Sequence, residues 1–231
     1  ADDPANQSQF ASVVDLESGG GLLVLGTGRS GKTTVLRTVA ASAALDDQRA
    51  GGGRVAIVGL DFSSGELRSL QCIPQVGAVG TLEDMEATTR IIETLDAEVA
   101  RRRAGAGSVS GGRIDEPVVV LLVDGYTNLV DTLQNTRSGQ EQTSDQWLAA
   151  FHRIILDGRQ VGVHTVLTAD RSGAVRNAIF ASVTRRLVLR QVDVNETKSL
   201  GVPSTQSMPP GGGYLDGLRV QVASLAAPDE D

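Results

Sequence analysis

Short apolar runs alternate along the chain with segments whose apolar residues recur at helical spacing. The run "VVVLLV" at 118–123 shows no polar alternation, which is typical of a strand covered on both faces. The alternation predicts an α/β fold in which helices cover both faces of a mostly parallel central sheet. Strands are predicted at 21–26, 54–60, 117–124, 162–169, 184–190 and 218–223.

Helical periodicity predicts three helices, at 32–44, 82–103 and 145–160. Thr81 and Ser144 are the predicted N-caps of the second and third helices. The second helix ends in "RRR", which complements its dipole and so requires no nucleic-acid partner. Its predicted core face carries Leu82, Met85, Ile92, Leu95 and Val99. The third helix is predicted to point Trp147, Leu148, Phe151, Ile154 and Ile155 inward.

The 231 residues are enough for one α/β core, and we expect a single domain over 1–231. The segment 104–113 is predicted to be a flexible loop, 203–213 a long irregular connection and 226–231 a disordered tail. A first residue other than Met suggests a piece excised from a longer multidomain protein.

Composition narrows the class of protein. Hydrophobic residues make up 40% of the chain and charged residues 21%, as in ordinary water-soluble domains. The net charge of −7 disfavours non-specific binding to DNA or anionic lipid. One cysteine, Cys72, indicates a reducing compartment, and neither a signal peptide nor a membrane-length apolar run is present.

The segment "GTGRSGKTT" at 26–34 fits the phosphate-loop pattern G-x-x-x-x-G-K-[ST], after a predicted strand and before a helix. Its backbone N–H groups and the helix N-terminus would face phosphates, with Lys32 at the β/γ end. The Thr33 hydroxyl would bind Mg²⁺, and Thr34 would reach an α-phosphate oxygen. The predicted nucleotide-binding residues are Gly26, Thr27, Gly28, Arg29, Ser30, Gly31, Lys32, Thr33, Thr34 and Asp124.

The same letters "GTGRSG" also fit the dinucleotide fingerprint G-x-G-x-x-G, in which Asp61 would bind a ribose hydroxyl. A lysine followed by hydroxyl residues suits a triphosphate with Mg²⁺ and has no role in a dinucleotide site. Lys32 and Thr33 therefore favour ATP and Mg²⁺.

Asp124 ends the most apolar predicted strand, where a carboxylate orients Mg²⁺ through water. Hydrolysis also needs a group that positions the attacking water, and the next residue is Gly125. Asp61 and Glu66 are weak candidates, on the expectation that the second strand ends beside the phosphate loop; the alternative is a strand-end and helix-cap role. If Gly125 lacks only this group, Gly125→Glu would gain turnover.

After the next strand, Thr168 lies where a polar group can sense a γ-phosphate, and Arg171 is a weak candidate for a phosphate contact. An arginine finger acts across a subunit boundary, so one chain does not identify it. The rival arginines are Arg159, Arg185 and Arg186.

Several stretches together resemble the FtsK/SpoIIIE motor ATPases, among them 21–40, 55–67, 73–104, 118–130, 158–190 and 201–223. They cover nearly the whole chain in the family's motif order and are most similar to the EccC/EssC branch, the tandem ATPases of type VII secretion. The resemblance implies a RecA-like P-loop fold, ATP and Mg²⁺, ring (hexamer) assembly, and a cytoplasmic domain of a membrane-anchored protein. It carries over the 26–34 loop as Walker A and Asp124 as the Walker B acid.

Three positions depart from the family's pattern. Gly125 replaces the glutamate of active motors, Ser63 or Ser64 a lysine, and Asp170 a glutamine. These losses suggest a degenerate domain that binds nucleotide tightly, hydrolyses it weakly or not at all, and docks a secreted protein's signal peptide. A docking groove would involve the apolar residues of 173–183, for which the alternative is a core helix.

The first hypothesis is therefore a regulatory ATP-binding domain of a type VII-like secretion ATPase, next to other ATPase domains of its polypeptide. The second is an active ring motor that translocates DNA, which Gly125 and the net charge of −7 disfavour. The third is a dinucleotide-dependent oxidoreductase, which Lys32 and Thr33 disfavour.

Overall fold

The computed structural model describes residues 1–3, 8–16, 20–105, 116–135 and 142–225. Within them ten strands form one sheet, in the order β2-β1-β10-β9-β8-β3-β7-β6-β4-β5. The six neighbouring strands from β8 to β5 run parallel, and the others are antiparallel. The strands are β1 Asp2–Asp3, β2 Ser8–Gln9, β3 Gly21–Leu25, β4 Val55–Asp61, β5 Val76–Thr81, β6 Val118–Asp124, β7 Val163–Ala169, β8 Arg186–Leu189, β9 Gly212–Leu215 and β10 Leu218–Gln221.

Helices cover both faces of this sheet, as the sequence predicts. They are α1 Lys32–Arg49, α2 Met85–Gly105, α3 Tyr126–Asn135, α4 Gln142–Asp157, α5 Asn177–Ser182 and α6 Val194–Ser199. Short 3-10 turns lie at Glu66–Cys72, Gly158–Val161 and Ser172–Ala174. Among the described helices, none combines the length and apolar character that a membrane crossing requires.

Four of the ten described strands are absent from the sequence prediction, namely β1, β2, β5 and β9. Glycines interrupt the apolar pattern of β5. Gly80 allows the strand to pack closely against α2, since an added Cβ would lie 2.6 Å from the Thr88 side chain. The prediction that 203–213 is irregular is wrong for its last two residues, because β9 begins at Gly212. The missed signal is the dipeptide Asp216-Gly217, whose positive φ values of 51° and 82° close the β9–β10 hairpin.

The beginning of α2 also differs from the prediction. Thr81 ends β5, and Asp84 caps the helix instead, accepting a hydrogen bond from the Ala87 N–H at 2.9 Å. Leu82 lies in the strand-to-helix turn, outside the helical register, and is 57% exposed where a core position was predicted. The end of the helix includes residues 104 and 105, which were assigned to a loop. The rest of that loop and the 226–231 tail lie outside the described residues.

Two apolar layers hold the helices against the sheet. One face packs β3, β6 and β7 against α2, α3, α4 and α5, and the other packs the same strands against α1 and the 66–72 turn. Ile92, Leu95 and Val99 of α2 are buried as predicted. The fully buried Phe151 contributes about 1.5–3 kcal/mol. Trp147 lies half-buried at the rim, where its Nε1–H donates to Glu93 at 2.7 Å. The side chain of Ser144 is outside the described part.

The three consecutive arginines at the end of α2, Arg101 to Arg103, form ion pairs with acidic residues of the same chain. Arg101 and Arg102 pair with Glu98, which lowers the pKa of Glu98 to about 2, chiefly through the hydrogen bond from Arg101. Arg102 also donates to the Val161 carbonyl at 3.0 Å, and Arg103 pairs with Asp157 at 2.6 Å. These partners account for the triplet without a nucleic acid.

A buried histidine joins α4 to the neighbouring elements. His152 Nδ1 lies 2.9 Å from Arg176 Nη1, and its Nε2 lies 3.4 Å from the Tyr126 hydroxyl. Burial, followed by the charge of Arg176, lowers the pKa of His152 from 6.5 to about 4. His152 is therefore neutral in the folded protein near neutral pH, whereas the unfolded chain binds a proton near pH 6.5.

We expect this histidine to make the domain acid-sensitive. Because the pKa is lower in the folded protein than in the unfolded chain, the free energy of unfolding is highest above pH 6.5 and decreases as the pH falls towards 4. The loss approaches ~1.4 kcal/mol per pH unit in this window. Urea unfolding of the wild type and His152→Gln at pH 7, 6 and 5 measures this decrease in the free energy of unfolding. Arg176→Gln removes the nearby positive charge, the smaller cause of the pKa shift, and should partly reduce the dependence of stability on pH. An unchanged slope in His152→Gln would contradict the assignment.

Candidate nucleotide-binding site

The 26–34 loop joins β3 to α1 in the way the sequence predicts. Gly26 N–H donates to the Ala169 carbonyl at 3.1 Å and Thr27 N–H to the Arg190 carbonyl at 3.0 Å, which fixes both ends of the first turn on neighbouring strands. Arg29 and Gly31 have left-handed φ values of 58° and 101°. Gly31 is the N-cap of α1, and no side chain in the described part of the chain caps this helix. Its first N–H groups are therefore available to bind an anion.

A second loop supports the phosphate loop from behind. Gly211 N–H donates to the Ser30 carbonyl at 2.7 Å, and a Cβ added to Gly31 would lie 2.8 Å from the Gly211 nitrogen. The absence of a side chain at Gly31 therefore allows the two backbones to touch. This contact joins residues far apart in sequence, and sequence reasoning missed it.

Lys32 uses all three of its ammonium donors inside the chain. Its Nζ donates to the Gly26 carbonyl at 2.7 Å, the Thr27 carbonyl at 3.0 Å and Asp170 Oδ1 at 2.9 Å. The two carbonyls hold the lysine across the mouth of its own loop. The pairing with Asp170 was not predicted from the sequence.

Asp124 connects the phosphate loop to the central strands. Thr33 Oγ1 donates to its Oδ2 at 2.7 Å, and Thr168 Oγ1 donates to its Oδ1 at 2.7 Å. Thr168 also accepts the Gly125 N–H at 2.9 Å. Because β7 lies between β3 and β6, it carries Thr168 into the gap between the loop and the carboxylate.

Burial dominates the electrostatics of Asp124, which is 0% exposed. Desolvation raises the pKa of its carboxyl above 3.8; the two threonine hydroxyls oppose this shift, and the nearby charge of Asp61 adds to it. A buried carboxylate of this kind attracts a cation.

These residues fit a Mg²⁺–nucleotide. A Cβ added at Gly28 would meet nothing within 4 Å, so the loop has room beside the uncapped helix. Mg²⁺ in nucleotide sites takes one or two carboxylates together with phosphate oxygens. Thr33 and Asp124 supply hydroxyl and carboxylate oxygens 2.7 Å apart at the foot of the loop. The oxygen donor set and the open loop therefore suit the predicted cofactors.

Gly125 occupies a position that excludes larger residues. Its φ is 82°, and an added Cβ would lie 2.8 Å from the Phe62 carbonyl oxygen and 3.3 Å from the Ser63 Cβ. Phe62 is held from both sides, by its own N–H on the Asp124 carbonyl and by Asn128 Nδ2, which donates to its oxygen at 2.8 Å. The gain of turnover in Gly125→Glu stays a prediction, and the geometry argues against it because the backbone itself would have to shift to admit a side chain.

The two other candidate acids lie on the turn after β4. Two strands, β7 and β6, separate that strand from β3 in the sheet. The turn after it nevertheless reaches the foot of the phosphate loop as expected, since Ser64 Oγ lies 3.5 Å from Thr33 Oγ1. Asp61 accepts backbone N–H groups from Ser63, Gly65 and Leu67 at 2.9–3.1 Å, which is the alternative role of a cap. Glu66 is exposed and lies 3.6 Å from Arg37 of α1.

The candidate arginines are dispersed. Arg171 follows β7 with an exposed side chain that forms no ion pair with the described residues. Arg159 donates to the Ser182 carbonyl at 3.2 Å and Arg185 pairs with Asp216 at 3.3 Å. Arg186 packs over the Phe180 ring at 3.9 Å. Of these, Arg171 is nearest in sequence to the Lys32–Asp170 pair.

The apolar residues of 173–183 belong to the core. Val175, Ile179 and Val183 are at most 3% exposed and join the layer that packs against α4. This agrees with the core-helix interpretation of the segment, and these three residues do not line a docking groove.

Comparison with known proteins agrees with this geometry. The family model "FtsK/SpoIIIE family" matches residues 4–206. The chain belongs to the FtsK/SpoIIIE family. The match spans the phosphate loop, Asp124 and Thr168, so the resemblance read from the sequence is confirmed.

Members of this family with similar sequences come from type VII secretion. The ESX-5 secretion system protein EccC5 of Mycobacterium tuberculosis is 30% identical over 229 residues, which cover 93% of this chain and 16% of the relative. The cytoplasmic domain of the type VII secretion ATPase EccC of Thermomonospora curvata superposes with a TM-score of 0.74 at 26% identity, covering 96% of this chain and 26% of that one. The chain thus spans a minor part of these relatives.

A further structure contains ATPases 2 and 3 of the same EccC in complex with a signal sequence peptide. It superposes with a TM-score of 0.69 at 24% identity and covers 96% of this chain and 41% of that one. With the sheet order, these neighbours confirm the predicted RecA-like P-loop fold.

Proposed function

We propose that this chain is an ATP- and Mg²⁺-binding domain of a type VII-like secretion ATPase that hydrolyses nucleotide weakly or not at all. The observation that carries the proposal is that Thr33 and Asp124 supply oxygen ligands for Mg²⁺, while the residue after Asp124 is Gly125. The site has residues that would hold Mg²⁺ and phosphate, yet the position after Asp124 has no side chain, and an added Cβ would lie 2.8 Å from the Phe62 carbonyl oxygen. Similarity to EccC5 supports the assignment to secretion.

The chain's own residues would do most of the binding. The N–H groups at the start of α1 and the Lys32 ammonium would bind phosphate oxygens, and Thr33 with Asp124 would orient Mg²⁺. Bound Mg²⁺ would neutralise charge on the β/γ-phosphates. Thr168 would keep the Asp124 carboxylate turned towards Thr33. Among the other nearby acids, Asp61 is committed to the backbone and Glu66 lies beside Arg37, which leaves neither as an evident base.

The partners follow from the relatives. We propose neighbouring ATPase domains in the same polypeptide, since EccC5 is about six times as long as the matched part. A secreted protein's signal sequence is a proposed partner because such a peptide is bound to ATPases 2 and 3 of EccC. We further propose a cytoplasmic domain of a membrane-anchored protein and a ring assembly in which Arg171 meets a neighbour. DNA binding is disfavoured by the net charge of −7.

The direct test is ATP binding and turnover on one sample. We expect Mg²⁺-dependent binding in the micromolar range or tighter, with turnover no faster than in Lys32→Ala. Isothermal titration calorimetry and a phosphate-release assay measure the two quantities. Turnover of about 1 s⁻¹ or more, the lower end for typical enzymes, would contradict the proposal and direct attention to Asp61, Glu66 and Asp170 as bases.

Membership of the FtsK/SpoIIIE family favours one second candidate, an active DNA-translocating ring motor. That function requires salt-sensitive DNA binding and turnover stimulated by duplex DNA. Both are measured by repeating the titration and the phosphate assay with duplex DNA at two salt concentrations.

A further inference from the structure

The Lys32 ammonium is already fully coordinated by the chain. A lysine has three N–H donors and no acceptor, and all three point at Gly26, Thr27 and Asp170. A phosphate oxygen that binds Lys32 must displace one of these acceptors. Two of them are backbone carbonyls of the loop itself, so the Asp170 carboxylate is the acceptor that can leave.

Asp170 is placed by the sheet and not by a free loop. Ala169 pairs with Leu25 in the β3–β7 ladder, which sets the next residue directly beside Gly26. The Asp170 carbonyl also accepts a hydrogen bond from Gln191 Nε2 at 3.1 Å. Gln191 is only 3% exposed, and its own N–H donates to Thr205 at 2.9 Å. The backbone at 170 is therefore fixed while its carboxylate projects over the loop.

The two members of the pair differ in their exposure. The side chain of Lys32 is 11% exposed and that of Asp170 is 76% exposed, so the carboxylate lies on the solvent side of the ammonium. In this motif the backbone N–H groups receive the α- and β-phosphates, while the lysine reaches the β/γ end. The additional charge of a triphosphate is therefore directed to the end of the loop that Asp170 occupies.

We propose that Asp170 makes this site selective for a nucleoside diphosphate over a nucleoside triphosphate. The inference rests on the proposed nucleotide binding and names the form of nucleotide that is favoured. A diphosphate can use the N–H groups while Lys32 keeps its pairing with Asp170. A triphosphate displaces the carboxylate from Lys32 and then lies beside a like charge, which is unfavourable.

The chain contains a matched control. Asp46 is 75% exposed and pairs with Arg49 at 3.3 Å near the other end of α1, so Asp46→Asn removes the same charge from an equally exposed carboxylate. Asp170→Asn removes the charge at the loop with almost no change in volume. Asp170→Glu keeps the charge and tests whether its distance from Lys32 matters.

The experiment is calorimetric titration of ADP and of the β,γ-imido analogue of ATP, each with excess Mg²⁺. Removal of one like charge at an exposed position is expected to tighten the triphosphate analogue about 2–5-fold in Asp170→Asn. ADP should change by less than about twofold, and Asp46→Asn should change either ligand by less than about twofold. Asp170→Glu should retain the preference for ADP. Thermal unfolding confirms that each variant is folded.

Different failures have different signatures. Equal tightening of both ligands in Asp170→Asn and Asp46→Asn would mean that only net charge matters, and would overturn the inference. So would a triphosphate affinity that falls in Asp170→Asn, which would make the carboxylate a ligand of the nucleotide or its water. If no folded variant binds either ligand, the proposed function fails together with the inference. If the wild type binds both ligands equally and Asp170→Asn changes nothing, only the inference fails.

Discussion

Asp124→Asn is expected to weaken Mg²⁺-dependent nucleotide binding about 10–100-fold, the usual effect of losing a group that orients a metal's ligands. The same change should make the nucleotide-free domain more stable. Burial raises the pKa of Asp124, so the folded protein holds the proton more tightly than the unfolded chain does. Stability from such a group is present below the unfolded pKa and lost as the pH rises through the folded pKa. At neutral pH the buried charge is therefore a cost that a neutral asparagine removes.

The hydrogen bonds of Asp124 with Thr33 and Thr168 can be kept when asparagine replaces it. An asparagine oxygen can accept from Thr168, and its amide can donate to Thr33, whose hydroxyl also lies 3.5 Å from Ser64. Differential scanning fluorimetry without nucleotide should show a rise of a few degrees, since ~1 kcal/mol shifts the melting temperature by about 2–4 °C in a protein of this size. The rise should disappear at a pH low enough to protonate the wild-type carboxylate.

Asp61→Asn is the matched control and should have the opposite sign. The Asp61 carboxylate accepts three backbone N–H groups, one of them the buried N–H of Leu67 at 2.9 Å. An amide in its place leaves a donor facing a donor, which costs about 1–3 kcal/mol. If Asp124→Asn destabilised the domain as Asp61→Asn does, the charge of Asp124 would be compensated in the fold and its proposed role in attracting Mg²⁺ would lose its physical basis.

Gly125→Ala is expected to destabilise the domain by about 2–4 kcal/mol, the sum of a left-handed non-glycine residue and a close contact with the backbone. The contact is the 2.8 Å approach of an added Cβ to the Phe62 carbonyl, which Asn128 holds in place. Gly125→Glu has the same penalty and should gain no turnover, because the shifted backbone no longer places its carboxylate next to Asp124. Urea unfolding and phosphate release measure the two effects.

Gly201→Ala separates the two causes. Gly201 also has a positive φ, 69°, but an added Cβ there would meet nothing within 4 Å. We therefore expect it to cost only about 1 kcal/mol, the conformational part alone. Brisk hydrolysis by a well-folded Gly125→Glu variant would contradict the structural account and would reinstate the expectation from sequence that one side chain is missing.

Much of the site could be predicted because its determinants are local. The spacing of Gly26, Gly31 and Lys32 needs only nine consecutive residues, and the strand before it and helix after it are visible as periodicity. Asp124 was identified because it ends an unbroken apolar run. The RecA-like fold followed from the alternation of such runs with helices and from the family resemblance.

The errors have a common cause, since a sequence pattern does not specify which elements meet. Leu82 has the right spacing for the face of α2 but lies before its first turn. For the apolar residues of 173–183 the sequence left a docking groove and a core helix open, because it does not distinguish a buried apolar face from a docking face. The structure places Val175, Ile179 and Val183 in the core.

By itself the sequence determined the strand–loop–helix phosphate site, the carboxylate at the end of β6 and the absence of a side chain after it, since each depends on neighbouring residues. Only the tertiary structure decided why that residue is glycine and what Lys32 binds. The first depends on the Phe62 carbonyl in the turn after β4, and the second on the β3–β7 register that brings Asp170 to 2.9 Å from the ammonium. Both are contacts between distant parts of the chain, which form only when the sheet is assembled.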